Sequence, residues 1–572
     1  MPLFEGETEL NTEFDAIVVG SGVTGGWAAK ELTEKGLKVL MLERGRPLTH
    51  GKDYVTEHMP PWEIPFGGKP LRDMYARDYP VQSKSYAFDE TTRHFWMKDS
   101  DQPYTHAPDA PFNWLRADVV GGKSLLWGRQ VYRWSDLDFE ANKLDGHGVD
   151  WPIRYRDLEP WYAHVERFIG VSGQSENLGQ LPDSVFQPPM AMSVVEKAAK
   201  QRIEQKFPDR CMTIGRVANL TEPLGDRAAC HYCGVCQRGC SVGAYFSSHS
   251  STLPAARKTG NLELRANSVV EGLDFDAAGK RISGVRVIDG MTGERLRFTA
   301  KLVFLCASTV GSLQILLNSK SDSFPNGLAN RSGTLGHYLM DHQNGAFAFG
   351  YTNEFAGHYY YGMRPNGIYI PRFRNLDPAR PDTDFLRGYG FQSTAVALES
   401  RLIGTSVPGY GAAFKQALRQ APAWTMFMAA FMECLPYRDN RVTLEKTLVD
   451  RHGMPQLRFD MRFRENEDKQ LKDAAFQAGE MLKAAGMQNV ATISVPSVPG
   501  DAIHEMGGAC MGRDPESSVL NGWNQAHDVS NLYVTDGASM SSSSCVNPSL
   551  TFMALTARAA NHAAGRLREG VV

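Results

Sequence analysis

Phe14-Asp15-Ala16-Ile17-Val18-Val19-Gly20-Ser21-Gly22-Val23-Thr24-Gly25 decides how this chain begins. Residues 14–20 predict a buried strand, and 25–35, closed by Gly36, predict a helix. Residues 38–43 predict a second strand, so the three elements open a βαβ unit. A lone G-x-G-x-x-G is a weak motif, but here it bridges a strand and a helix, which makes it a dinucleotide fingerprint. Gly20 permits the tight turn, Gly22 lets backbone approach a pyrophosphate, and Gly25 allows close helix–strand packing. The helix N-terminus favours the phosphate anion. Glu43, 23 residues after Gly20, ends the second strand where it would accept hydrogen bonds from ribose hydroxyls. The fingerprint does not separate FAD from NAD.

The rest of the chain sets the frame. It has 572 residues, room for three or four domains or two large intertwined ones. Its 61 Lys+Arg and 64 Asp+Glu give a net charge of −3, which provides no footprint for nucleic acid or an anionic membrane. No apolar run reaches the roughly 18 residues of a membrane span. The longest, 421–432, is interrupted by Thr425 and followed by Glu433. Residues 1–14 are acidic and lack a basic and an apolar region, so no signal peptide is expected there. Nine cysteines, an odd and mostly dispersed set, do not make a disulfide scaffold.

Further along, 190–206 predict a helix, 261–274 and 281–289 predict paired strands, and 301–307 predict a strand leading into a helix at 310–318. From about 332 to 500 the chain becomes aromatic and strand-rich, with strands expected at 346–351, 367–373 and 426–434 and a helix at 465–485. The last 70 residues or so return to glycine, serine and small apolar residues. The expected architecture is α/β. A nucleotide domain is built from 1–331 and 501–572, and a substrate domain of antiparallel sheet plus helices is inserted at 332–500.

Near the C-terminus, His504-Glu505-Met506-Gly507-Gly508 precedes a strand at 531–535 that ends at Asp536-Gly537. Asn547-Pro548-Ser549-Leu550-Thr551 then opens a helix. Pro548 suits the first helical position and Asn547 the N-cap, so Asn547 taken alone reads equally as a cap. A single loop histidine most often has no role. These two stretches, the fingerprint and Val120-Gly121-Gly122-Lys123-Ser124-Leu125-Leu126-Trp127 together resemble the glucose–methanol–choline (GMC) flavoprotein oxidoreductases, over nearly the whole chain. The resemblance implies a Rossmann-like FAD domain, with Gly121, Gly122, Ser124, Asp536, Gly537 and Pro548 at the flavin and Val269 or Val270 near the adenine. It makes His504 the catalytic base and Asn547 its partner on the substrate oxygen. Leu126 stands where covalently flavinylated members carry histidine, so the FAD is expected to be noncovalent. Gln343, after Asp341-His342, would hydrogen-bond a sugar, whereas His342 reads as a buried structural histidine satisfied by backbone.

Cys230, Cys233, Cys236 and Cys240 form C-x2-C-x2-C-x3-C, the bacterial ferredoxin spacing with Ser241 in place of proline. The run (228–245) is expected to hold an iron–sulfur cluster, [4Fe–4S] with four ligands or [3Fe–4S] with three. Zinc, which favours separated cysteine pairs, is the alternative. With the flavin motifs, the run resembles the catalytic subunits of bacterial FAD sugar dehydrogenases: the glucoside 3-, glucose, gluconate and fructose dehydrogenase group. That implies oxidation of a sugar or glycoside hydroxyl, with electrons passing to a c-type cytochrome. A small signal-bearing helper subunit would carry the chain to the periplasm, the cytoplasm being the alternative. The rivals are an FAD oxidase using oxygen with a structural metal knuckle, and an assembly subunit with a vestigial site, against which intact His504 and Asn547 argue.

Overall fold

In the computed structural model, the opening segment folds as β1 (Phe14–Val19), α1 (Val23–Glu34) and β2 (Val39–Leu42). The structure describes residues 8–9, 13–398, 409–419 and 423–571. Residues 1–7 and 10–12 of the segment read for a leader, and 421–422 of the longest apolar run, lie outside the described residues. Two later strands, β3 (Leu262–Arg265) and β4 (Ala300–Leu305), join the first two, and α2 (Thr309–Asn318) follows β4. With Leu532–Val534 they form a five-stranded sheet in the order Leu532–Val534, β4, β1, β2, β3, and every pairing is parallel. Ala16, Ile17 and Val18 are fully buried, as a parallel sheet covered on both faces requires.

The expected strand over 261–274 divides. β3 enters the parallel sheet, while Ser268–Asp276 pairs antiparallel with Arg281–Asp289. Asn267 between them has φ +52°, a left-handed conformation that breaks the strand and that asparagine tolerates.

The second large sheet uses β5 (Ala346–Thr352), β6 (Ile368–Ile370), β7 (Tyr389–Ala397), β8 (Trp424–Met432) and β9 (Gln488–Ser494), with α3 (Glu465–Ala484) packed on one face. Its order is β9, β5, β8, β7, β6, Thr213–Ile214, all antiparallel. β8 shows why the sheet has two faces. Met426, Met428, Ala430 and Met432 are fully buried in one cluster with Leu471, Ala474, Ala478 and Met481 of α3. The alternate residues, Phe427, Ala429 and Phe431, point the other way, towards a cavity. The final helix, α4 (Ser549–Arg568), packs on α1, and its buried Ala557, Ala560, Ala563 and Ala564 allow close approach. No helix among the described residues is long and apolar enough to cross a membrane.

Candidate active site

One cavity of about 1250 Å³ runs from the fingerprint to His504 and Asn547. Gly20, Ser21, Gly22, Glu43, Gly122, Ser124, Val269, Val270, Asp536 and Gly537 all line it. The three fingerprint glycines do different work. Gly20 has φ +96°, and a Cβ there would lie 2.4 Å from the Cys306 carbonyl oxygen. A Cβ on Gly25 would lie 1.9 Å from the Gly20 carbonyl oxygen. Gly22, by contrast, faces open space, and it begins α1 with no side-chain cap, so the first-turn N–H groups are left for a ligand. Glu43 accepts from the Ser21 N–H (2.9 Å) and the Gly45 N–H (2.7 Å), and burial pushes its carboxyl up. Asp536 accepts from the Ser312 hydroxyl (2.5 Å), and burial raises its carboxyl to about 6. Gly121 and Pro548 lie just behind the cavity wall. The Gly121 N–H donates to Ser21 Oγ (2.8 Å), and Pro548 is the N-cap of α4. An uncapped helix start, an acidic side chain at the end of β2 and a long cavity fit a dinucleotide such as FAD.

The catalytic end is organised by hydrogen bonds that settle which nitrogen is free. His342 Nε2 lies 3.1 Å from the Ser543 carbonyl oxygen, so it carries the proton and donates. His342 Nδ1 is then a lone pair, and it lies 3.0 Å from His504 Nδ1, which must donate. His504 Nε2 is left as the acceptor, 3.1 Å from Asn547 Nδ2. Asn547 Oδ1 is taken by Gln392 Nε2 at 2.8 Å, which fixes the amide with its NH₂ towards His504. The chain Ser543–His342–His504 therefore presents a neutral imidazole nitrogen to the cavity, poised to take a proton. Burial, with the Lys123 ammonium, holds His504 well below the usual imidazole range. Burial likewise lowers His342 to about 4. The loop carrying His504 hangs on Asp341, which accepts from the N–H groups of His504 (3.0 Å), Gly500 (2.7 Å) and Ala502 (3.3 Å).

Several readings change here. Asn547 is not a helix cap: α4 starts two residues later, and the Asn547 side chain is engaged with His504 and Gln392. His342 is indeed buried against backbone, but its other nitrogen orients His504, so it is more than structural. Gln343 does not line the cavity. Its Oε1 accepts from the Gly345 N–H and from the Ser497 N–H and hydroxyl, so it braces a loop and does not reach a sugar. Gln392 was invisible as a site residue. Its only signal is a polar side chain in an apolar strand. Arg129 has no role that the sequence assigns. It is buried, with φ +60°, lines the cavity, and has Nε and Nη1 without a hydrogen-bond partner.

The cysteine run borders the same cavity. Gln237, in the single turn Cys236–Arg238, is part of the lining. The four thiols are free, Cys233 being exposed, and among the described residues no three His, Cys, Asp or Glu side chains are arranged to hold a metal ion. The geometry therefore does not fit the expected cluster; only the spacing of the sequence speaks for it. Burial pushes the Cys230 thiol up to about 11, with Cys236, Cys233 and Cys240 as neighbouring charges.

The family model described as GMC oxidoreductase matches residues 14–344 with its N-terminal part and 436–556 with its C-terminal part, so the chain belongs to the GMC oxidoreductase family. It is thus an enzyme of an FAD-dependent class that acts on CH–OH groups. It is 28% identical to a 2-methyl-1,2-propanediol dehydrogenase from Mycolicibacterium austroafricanum, over 97% of this chain and 96% of that protein. It is 27% identical to the fructose dehydrogenase large subunit of Gluconobacter japonicus, over 97% and 98%. Among solved structures, pyridoxine 4-oxidase from Mesorbium loti shares the fold, with a TM-score of 0.58 at 15% identity, over 96% of this chain and 99% of that one.

Proposed function

We propose that this enzyme is a dehydrogenase that oxidises a hydroxyl of a sugar or glycoside, C3 of a glucoside being the specific case, to a carbonyl. The observation that carries the reading is the relay ending on His504 Nε2 beside Asn547, at one end of a cavity whose other end is the dinucleotide fingerprint. FAD held along that cavity supplies a hydride acceptor. His504 takes the hydroxyl proton at Nε2, while the Asn547 NH₂ donates to the substrate oxygen and holds it in place. His342 keeps the His504 proton on Nδ1. The sugar preference draws support from the similarity to a fructose dehydrogenase subunit. Residues 1–331 and 501–572 act as the FAD domain and 332–500 as the substrate domain.

The cysteine spacing further suggests an iron–sulfur cluster at Cys230, Cys233, Cys236 and Cys240. A c-type cytochrome would be the final acceptor, and a signal-bearing partner subunit would take the chain to the periplasm.

Two measurements test this. His504→Ala is expected to slow anaerobic flavin reduction at least ~100-fold. An undiminished rate removes the base assignment. An iron-to-flavin ratio of ~3–4 in anaerobically purified protein supports the cluster that the cysteine spacing suggests. A ratio near zero, with peroxide formed in air, replaces the dehydrogenase by an oxygen-using oxidase.

A further inference from the structure

Two unlike patches line the cavity. Gln392 and Thr394 of β7, with Gln130 and Asn366, make the polar one, and Asn366 Nδ2 is buried without a partner, as are two nitrogens of Arg129. Beside it on the same sheet face, the one turned away from α3, where Gln392 pairs with Ala429 and Thr394 with Phe427, runs an apolar stripe. It starts at Phe431, whose ring centroid lies 5.7 Å from that of His504. It continues along β8 through Ala429 to Phe427, a run of about 14 Å at about 3.4 Å per residue. It spreads sideways through the register: Phe347 of β5 pairs with Ala429, and Ile493 of β9 pairs with Phe347. Phe347, Phe427, Ile493 and Val495 are 38%, 41%, 43% and 62% exposed, and all four line the cavity.

We infer that this stripe is a subsite for an apolar aglycone, and that the preferred substrate is a glycoside bearing an aryl or alkyl group. The inference rests on the sugar-hydroxyl reading above and goes beyond it by naming the rest of the molecule oxidised. A free sugar offers only hydroxyls, which match the polar patch and leave the stripe wet. A purely apolar alcohol covers the stripe but leaves the buried donors of Arg129 and Asn366 unanswered, a costly arrangement. A glycoside satisfies both patches at once. Its sugar ring sits among Gln392, Asn547 and His504, and its aglycone removes the two phenylalanines, Ile493 and Val495 from water. The stripe is continuous with the catalytic centre through Phe431, so one ligand spans both.

The test uses the flavin-loaded full chain and anaerobic rapid mixing with phenyl glucoside, methyl glucoside of the same anomer, and glucose. Concentration dependence of flavin reduction separates the Kd from the limiting rate. The Kd for phenyl glucoside is expected to be at least about tenfold below that for methyl glucoside, the worth of burying an aromatic ring. Phe427→Ser and Phe347→Ser are each expected to cut that preference severalfold, while Phe427→Leu keeps most of it. Both phenylalanines are well exposed, and flavin content checks that the variants fold. Equal Kd values for the two glucosides overturn the subsite and leave the sugar reading standing, as does a preference that survives both serine variants. If phenyl glucoside perturbs the flavin spectrum with the expected affinity but no sugar or glycoside reduces it, the subsite stands and the sugar reading falls.

Discussion

His504 and His342 form a pair in which each ring determines the other's proton. The Ser543 carbonyl can only accept, so the His342 proton must sit on Nε2, and the rest of the chain follows from that one fact. His342 is therefore a positioning residue: it acts on the substrate through His504. His342→Ala is expected to lower the limiting rate of flavin reduction about tenfold with little change in substrate Kd. His342→Asn, whose side-chain oxygen can still accept from Nδ1, should recover part of the loss. The pH profile separates this from a purely structural effect. His504 must be neutral to accept a proton, and burial holds it below the ordinary ~6.5. The acid limb of the wild-type rate should therefore fall below pH ~6.5. Removing His342 takes away the Nδ1 lone pair that accepts from His504 Nδ1–H and supports its protonated form, so the limb should move to still lower pH.

At the scale of the element, the strand–turn–helix of the fingerprint separates two kinds of glycine. Gly25 sits where a Cβ would lie 1.9 Å from backbone oxygen, so a side chain forces α1 off β1. Gly22 faces open cavity, so a methyl group there meets only the ligand. Gly25→Ala is expected to destabilise the protein by about 1–3 kcal/mol or more, as overpacking does. Gly22→Ala is expected to keep its thermal midpoint while losing bound flavin. Measuring the thermal midpoint and the flavin-to-protein ratio on both variants distinguishes packing from ligand approach. The sheet β5–β8–β9 shows the same division of labour in its two faces, methionines against α3 and phenylalanines towards the cavity.

Across the whole molecule, distant segments are clamped by a buried ion network. Arg387, before β7, donates to Glu433 just after β8 (2.8 Å) and to Asp145 (2.8 Å) and Asn142 (2.7 Å), more than 200 positions earlier in the chain. Arg387 and Glu433 are both deeply buried, and these two carboxylates hold the guanidinium above its usual range. Removing one partner strands the others without solvent. Arg387→Met is accordingly expected to cost about 3–5 kcal/mol in denaturant unfolding. A loss below about 1 kcal/mol would mean that the network contributes little beyond packing.

Much of this was legible from residues in order along the chain. β1, α1 and β2 follow from local periodicity and glycine spacing, because a strand, a tight turn and a helix N-terminus are built from neighbouring residues. The same holds for α3 and for the alternation in β8. Residues 261–274 misled because a single left-handed asparagine, not the hydropathy pattern, ends β3. Motif order and the family resemblance brought out His504 as base and Asn547 as its partner, but not the tautomer that leaves His504 Nε2 free. The free nitrogen of His504, the roles of His342 and Gln392, the engagement of Gln343 with Ser497 and the polar and apolar patches of the cavity all depend on hydrogen bonds and contacts between residues far apart in the chain. The sequence by itself determined a dinucleotide-binding α/β enzyme with a histidine–asparagine pair, because those features are local. Only the tertiary structure decided which nitrogen accepts the proton and which surfaces face the substrate, because proton placement and exposure are set by neighbours that chain order does not reveal.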